Sequence, residues 1–232
     1  MARAFLVVAF TLAGVLSALA DDSSTSDYVQ DGLVAHWDAI DNTGTGHDGT
    51  ATTWTDLKGG RVFTLSNTAT WGRNFVRFSG AAGSGGTLQD SALLAFDEVV
   101  TARTVEVVCE FSDTMYYSSG AFFVGTADSG IALTAKWDWS VAAKRGLTTL
   151  QSSSPASALN LGYGPNTLSC GYVRDETATR PAAGGLYLNG RVREQTTATP
   201  PDTAAGSYIC IGRDNNGGSR LSGYVYSVRI YN

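Results

Sequence analysis

The chain has 232 residues, 43% of them hydrophobic and only 16% charged, with a formal net charge of −5. This length and composition fit one large β domain with a full core and a surface rich in Thr, Ser and Gly. The acidic balance and the scattered Lys and Arg argue against nucleic acid as a partner, because no basic stripe would offset phosphate repulsion.

The first twenty residues have the features of a cleaved secretory signal. Arg3 supplies positive charge, residues 4–16 are mostly apolar, and Ala18-Leu19-Ala20 is a small-x-small cleavage site before Asp21. A membrane anchor is the alternative, but the apolar run is shorter than the roughly 20 residues of a spanning helix. We therefore expect a signal peptide over residues 1–20, no membrane insertion after cleavage, and a secreted or extracytoplasmic location, in the periplasm or at the cell surface.

Short alternating runs begin at Asp31, after a polar leader over residues 21–30. Gly, Asn, Asp and Ser separate these runs, which is typical of a sandwich or barrel of short strands. The alternation over 105–111 places four apolar side chains on one strand face, namely Val105, Val107, Cys109 and Phe111. In the run 131–140, Trp137 and Trp139 share a face with Ile131 and Leu133, which favours core packing.

Two further features predict how the strands connect. Asn189-Gly190, flanked by alternating residues, predicts a β-hairpin with a type I′ turn. The run 223–231 alternates to the end of the sequence, and a terminal strand is ordered only when a sheet holds it. We expect that strand to lie beside the first one, Leu33–Asp38.

Three cysteines follow the signal, and each lies in an apolar, strand-like run: Cys109, Cys170 and Cys210. The favoured interpretation is three small buried hydrophobic residues. Export also permits disulfides, and a Cys170–Cys210 bridge is the alternative, because spacing alone cannot fix a pairing.

The order of these motifs resembles a known family. The motifs are 31–38 (DGLVAHWD), 53–57 (TWTDL), 76–80 (VRFSG), 104–108 (TVEVV), 187–191 (YLNGR), 211–214 (IGRD) and 221–232 (LSGYVYSVRIYN). The series is similar to bacterial laminin-G-like domains of the concanavalin A-like lectin/glucanase group. This resemblance implies an all-β fold, a two-sheet antiparallel jelly-roll sandwich over residues 31–232. Many family members carry a Trp-His-His run where this chain has 167–172 (TLSCGY), which weakens any transfer of a binding site.

No catalytic arrangement stands out. Glu106 and Glu110 share a strand face, but four residues of strand separate them by about 13 Å, and glycosidase carboxylates lie about 5–9.5 Å apart. Two solvated charges on an outer face are the favoured interpretation. The two histidines, His36 and His47, have no visible nucleophile partner. We therefore expect a protein that is not an enzyme.

Calcium is the metal that the loops would favour, because it takes loop oxygens. The two candidate segments are 41–48 and the loop beginning Asp214-Asn215-Asn216, and laminin-G-like relatives that bind calcium are the main support. The alternative is ordinary turn chemistry, in which Asn, Asp and Gly dominate.

Aromatic residues suggest the remaining hypothesis, because rigid aromatic rings with nearby polar groups suit the faces of sugars. Tyr116 and Tyr117 are expected on a loop, whereas Trp37 and Trp54 belong to scaffold motifs and are expected in the core. We expect a secreted, non-catalytic module that binds a glycan or a cell-surface or matrix protein through Tyr116 and Tyr117, with Asp214 and Asn216 as polar or calcium-linked contacts. The alternatives are a structural or protein-interaction sandwich of the cell envelope and, third, a glycoside hydrolase.

Overall fold

The computed structural model describes residues 29–81, 83–88, 102–112, 118–125, 130–136, 141–145, 148–151, 165–173, 183–196, 208–213 and 220–231. The expected signal peptide, most of the leader and the pair Trp137 and Trp139 lie outside these ranges. Every regular element within them is a β-strand. None of the described residues belongs to a helix that is long and apolar enough to cross a membrane.

The strands, in chain order, are β1 (Leu33–Asp38), β2 (Thr53–Thr55), β3 (Val62–Leu65), β4 (Thr70–Trp71), β5 (Val76–Ser79), β6 (Gly86–Leu88), β7 (Ala102–Phe111), β8 (Ser118–Gly125), β9 (Gly130–Lys136), β10 (Val141–Arg145), β11 (Thr148–Gln151), β12 (Asn166–Val173), β13 (Ala183–Leu188), β14 (Arg191–Thr196), β15 (Tyr208–Ile211) and β16 (Ser222–Tyr231). Sheet A has the order β14-β13-β12-β7-β16-β5-β4, with β1 also paired to β16. Sheet B has the order β11-β10-β9-β8-β15-β6-β3-β2. The predicted two-sheet, antiparallel, all-β fold is confirmed.

Strand β16 organises sheet A because it pairs along both of its edges. Strand β7 lies on one side of it. On the other side β5 pairs with the first half of β16, from Ser222 to Val225, and β1 pairs with the second half, from Ser227 to Tyr231. The expected pairing of the first and last strands is therefore confirmed.

The core lies between the two sheets. Trp37 on β1 and Phe63 on β3 are fully buried, and their ring centroids are 4.7 Å apart across the sandwich. Trp54 on β2 is also fully buried. The four side chains assigned to one face of β7 are buried in the same cluster: Val105, Val107, Cys109 and Phe111. The predictions for both tryptophans and for this face are confirmed.

The hairpin and the burial of Cys109 and Cys210 agree with the sequence predictions, and the burial of Cys170 stays a prediction. Asn189 and Gly190 have φ values of 51° and 72°, the two positive angles that a type I′ turn requires. Cys109 is a buried free thiol, and burial raises the pKa of that thiol, so it behaves as the small hydrophobic residue that the sequence predicted. Cys210 is buried in β15, and its pairing with Cys170 stays a prediction.

A buried carboxylate ties β1 to the turn between β2 and β3. Asp56 is 2% exposed. Its Oδ1 accepts the backbone N–H of His36 at 2.8 Å and of Lys58 at 2.9 Å. Its Oδ2 accepts from the backbone of Gly59 at 3.1 Å and from Arg61 Nη1 at 2.7 Å. We call these residues the Asp56 cluster; they join a strand of sheet A to a hairpin of sheet B.

Candidate ligand-binding face

The four residues that the sequence singled out for binding lie outside the described ranges. Tyr116 and Tyr117 fall between β7 and β8, and Asp214 and Asn216 fall between Arg213 and Arg220. Arg213 and Arg220 themselves form an isolated β-bridge. The assignment of these four residues to a binding site therefore stays a prediction.

The segment 41–48, one of the two calcium candidates, uses its polar side chains to hold its own backbone. Asp41 Oδ1 accepts the N–H groups of Gly44 and Gly46 at 2.8 and 2.7 Å. Asn42, fully buried, donates through Nδ2 to the carbonyl of Asp48 at 2.9 Å and accepts the Asp48 N–H through Oδ1 at 2.8 Å. These are the bonds of ordinary turn chemistry.

Asp48 acts in the same way. It accepts both the N–H and the hydroxyl of Thr50, and these bonds lower the pKa of the Asp48 carboxyl. Among the residues that the structure describes, no group of three His, Cys, Asp or Glu is placed to hold a metal ion.

The outer face of sheet A carries three aromatic rings, of which Phe75 contacts the other two, and we call them the aromatic platform: Phe75, Tyr224 and Tyr226. The Phe75 and Tyr224 centroids are 4.8 Å apart at an interplanar angle of 72°. Phe75 and Tyr226 are 6.2 Å apart at the same angle. All three side chains are half-buried, so the rings are held by packing while part of each remains accessible, as a rigid ligand platform requires.

Two local features of the sequence build this platform. A Cβ on Gly72 would lie 2.2 Å from the Phe75 ring, so only glycine lets that ring fold back over the β4–β5 turn. The register of β16 shifts between Val225 and Ser227, which makes Tyr226 the extra residue of a β-bulge. Alternation already places Tyr226 on the outer face with Tyr224, and the bulge changes the phase after it, so that Ser227 and Arg229 also lie on this face, beside Val108 and Glu106 of β7.

Charged side chains border the platform on both sides. Tyr224 lies opposite Glu110 of β7 on one side and opposite Arg77 of β5 on the other. Tyr226 donates its hydroxyl to Glu110 Oε2 at 2.9 Å. Burial, and then this bond to Glu110, raise the pKa of Tyr226. A ligand over the rings would therefore meet a hydrogen-bond acceptor on one flank and a donor on the other.

A second polar row crosses the same face farther along the strands. His36, Arg229 and Glu106 are adjacent on β1, β16 and β7. Arg229 forms an ion pair with Glu106 and donates through Nη2 to Ser227 Oγ at 3.1 Å. The side chains of Arg229 and Glu106 are 11% and 24% exposed. Beside them, burial and the charge of Glu106 raise the pKa of Tyr231.

The two glutamates of β7 are thus not simply solvated charges, because each is half-buried with its own partner: Glu106 with Arg229, and Glu110 with Tyr226. Their strand spacing of about 13 Å exceeds the separations that retaining or inverting hydrolysis uses, at most about 9.5 Å. The pair cannot flank one glycosidic bond.

Sequence reasoning missed the platform. The alternation of 223–231 does put Tyr224 and Tyr226 on the face opposite Val225, and this signal was available. The pairing of β5 with β16 depends on tertiary structure, so the contact with Phe75 had no local signature.

No protein-family model and no curated protein sequence match the chain. Solved structures do match. A Trypanosoma rangeli sialidase complex is 15% identical with a TM-score of 0.60, over 86% of this chain and 30% of that chain. Domain 4 of AbnA, an extracellular GH43 arabinanase from Geobacillus stearothermophilus, is 17% identical with a TM-score of 0.58, over 86% and 91%. The CBM40 of a Ruminococcus gnavus IT-sialidase is 15% identical with a TM-score of 0.50, over 68% and 89%.

These likenesses define the class of fold. The chain is similar in fold to the β-sandwich modules of carbohydrate-active proteins, as expected for a jelly-roll, lectin-like sandwich. It matches nearly the whole length of the arabinanase domain but spans only 30% of the sialidase.

Proposed function

We propose that this chain is a secreted, non-catalytic carbohydrate-binding module of the laminin-G-like type, and that the aromatic platform is its sugar site. The observation that carries the proposal is the contact of Phe75, Tyr224 and Tyr226 on an outer sheet face, between Glu110 and Arg77. The apolar C–H face of a sugar packs on the rings, while its hydroxyls donate to Glu110 and accept from Arg77.

Two structural neighbours support a sugar ligand. Domain 4 of the arabinanase was solved with arabinotriose, and the CBM40 was solved with α2,3-sialyllactose. At these identities the likeness is one of fold, so the support for a site comes from the platform itself. Export fits the proposal as well: cleavage after Ala20 would release a mature chain from Asp21, with the domain over residues 31–232.

The predicted loop residues extend the same site hypothesis. Tyr116 and Tyr117 follow β7, the strand that carries Glu110, so they are proposed as further sugar contacts beyond the end of that strand. Asp214 and Asn216 are proposed as the polar contacts, and the glycan array below tests whether calcium is a cofactor.

The mature chain is screened on a glycan array with and without calcium. A glycan that it binds on the array becomes the probe for the titrations. Titration calorimetry with that probe then compares the wild type with Phe75→Ala/Tyr224→Ala. We expect the double variant to bind at least about ten-fold more weakly, which corresponds to about 1.4 kcal/mol, because both ring contacts are lost.

The matched control is Tyr187→Ala. Tyr187 is a half-buried tyrosine of the same sheet, on β13, and β12 and β7 separate it from β16. Unchanged affinity in a folded Phe75→Ala/Tyr224→Ala variant would refute the site. Loss of affinity only in Tyr116→Ala/Tyr117→Ala would move the site to the loop, and reducing sugar released by the wild type but not by Glu106→Gln would refute the non-catalytic role.

A further inference from the structure

The arginines of the described strands and turns differ in whether they form an ion pair with a carboxylate. Arg61 is paired with Asp56, and Arg229 with Glu106. Arg73 and Arg77 are both exposed. Within the part of the chain that the structure describes, neither of them makes a hydrogen bond or an ion pair. They are therefore available cations in a chain whose net charge is −5.

Arg73 and Arg77 lie on the hairpin that carries Phe75, whereas Arg191, which is also exposed, lies on β14, which three other strands of sheet A separate from β16. Arg77 is opposite Tyr224 on β16 and opposite Thr70 on β4, and its exposed side chain lies on the same outer face as the aromatic platform. Arg73 lies at the tip of the turn, which the N–H of Gly72 closes by donating to the carbonyl of Phe75 at 2.9 Å. Positive charge is thus concentrated on one side of the rings.

The other side of the platform is negative. Arg77, Tyr224 and Glu110 are adjacent on β5, β16 and β7, so about 10 Å, or two strand spacings, separates the guanidinium side from the carboxylate side. An anionic group on a ligand would be attracted to the Arg77 side and repelled from the Glu110 side. The ligand would therefore bind in one orientation.

We infer that the platform selects an acidic glycan, a sugar whose carboxylate is held by Arg77 while its ring packs on Tyr224 and Phe75. The inference rests on the proposed function and names the substrate class of the same site. The planar guanidinium fork of arginine matches a carboxylate bidentately, which a lysine ammonium cannot do. Glu110 then accepts from hydroxyls at the neutral end of the sugar.

The test uses trigalacturonate and its fully methyl-esterified form, which keeps the sugar and removes the charge. Calorimetry on the mature chain should give at least about ten-fold tighter binding for the acid, and this preference should shrink as sodium chloride is raised, because exposed charges are screened. Arg77→Gln should abolish the preference, Arg77→Lys should keep part of it, and Arg191→Gln, a change to an exposed arginine on β14, should leave it intact.

The outcomes separate the inference from the proposed function. Equal affinity for acid and ester, or an acid preference that survives Arg77→Gln, overturns the inference. If Phe75→Ala/Tyr224→Ala still abolishes ester binding in that case, the sugar site stands. Binding to a sulfated galactotriose but not to trigalacturonate overturns the carboxylate assignment in favour of sulfate. Absence of binding to every acidic and neutral glycan on the array overturns the proposed function and the inference together.

Discussion

The Asp56 cluster and the aromatic platform both combine charged groups with close packing, yet they differ in what is left to bind. In the cluster, both carboxylate oxygens of Asp56 are occupied by N–H donors of the chain itself, and the side chain is out of solvent. In the platform, the rings are half-buried and Arg77 beside them is exposed. Internally satisfied polar groups stabilise a fold, whereas spare hydrogen-bonding capacity next to rigid rings can serve a ligand.

The largest expected effect is the loss of stability when the Asp56 cluster is disrupted. Asp56→Ala should lower the free energy of unfolding by about 3–5 kcal/mol, because it removes the acceptor of three backbone N–H groups and the carboxylate that pairs with Arg61. Urea denaturation measures the change. The control is Lys58→Ala, since Lys58 contributes only its backbone N–H and should change stability by about 0.5 kcal/mol or less. Equal effects from the two variants would contradict the structural role of the carboxylate.

The same contrast explains what the sequence could and could not predict. The face of β7 and the Asn189-Gly190 hairpin were predictable because alternation and turn chemistry are local. The strand pair β1–β16 was predictable because the two ends of a sandwich domain need partners. The platform was not, because it brings Phe75 to Tyr224 and Tyr226 across about 150 residues of sequence, through the pairing of β5 with β16.

Variants of the two glutamates of β7 should have smaller effects on stability. They separate a structural role from a binding role, because Glu106 belongs to an ion pair and Glu110 borders the platform. Glu106→Gln should cost about 1–2 kcal/mol of stability, less than a fully buried pair would, since Glu106 is 24% exposed while its partner Arg229 is 11% exposed. Glu110→Gln should change stability by about 0.5 kcal/mol or less.

For ligand binding, Glu110→Gln should have the larger effect and Glu106→Gln the smaller one. Glu110→Gln should weaken binding of the uncharged, methyl-esterified probe, because an amide oxygen is a poorer acceptor of sugar hydroxyls than a carboxylate, and Glu106→Gln should leave that binding unchanged. Paired urea and calorimetric titrations measure both effects. If Glu110→Gln proved to be the more destabilising change, the platform would be a structural feature like the Asp56 cluster.

The smallest effect concerns the alkaline stability of the platform. Burial and the bond to Glu110 raise the pKa of Tyr226 above its ordinary value of 10.0, so the folded protein holds this proton more tightly than the unfolded chain. The contribution of Tyr226 to stability is therefore complete below pH 10 and is lost as the pH rises above it toward the folded pKa.

Tyr226→Phe should lower the free energy of unfolding by about 1 kcal/mol or less at neutral pH. It should also flatten the fall in that free energy above pH 10. Glu110→Gln should flatten it partly, because burial, the largest cause of the shift, remains. Urea midpoints between pH 8 and pH 11 for the three proteins measure this slope, and parallel slopes in all three would show that the Tyr226 hydroxyl is not held by the platform.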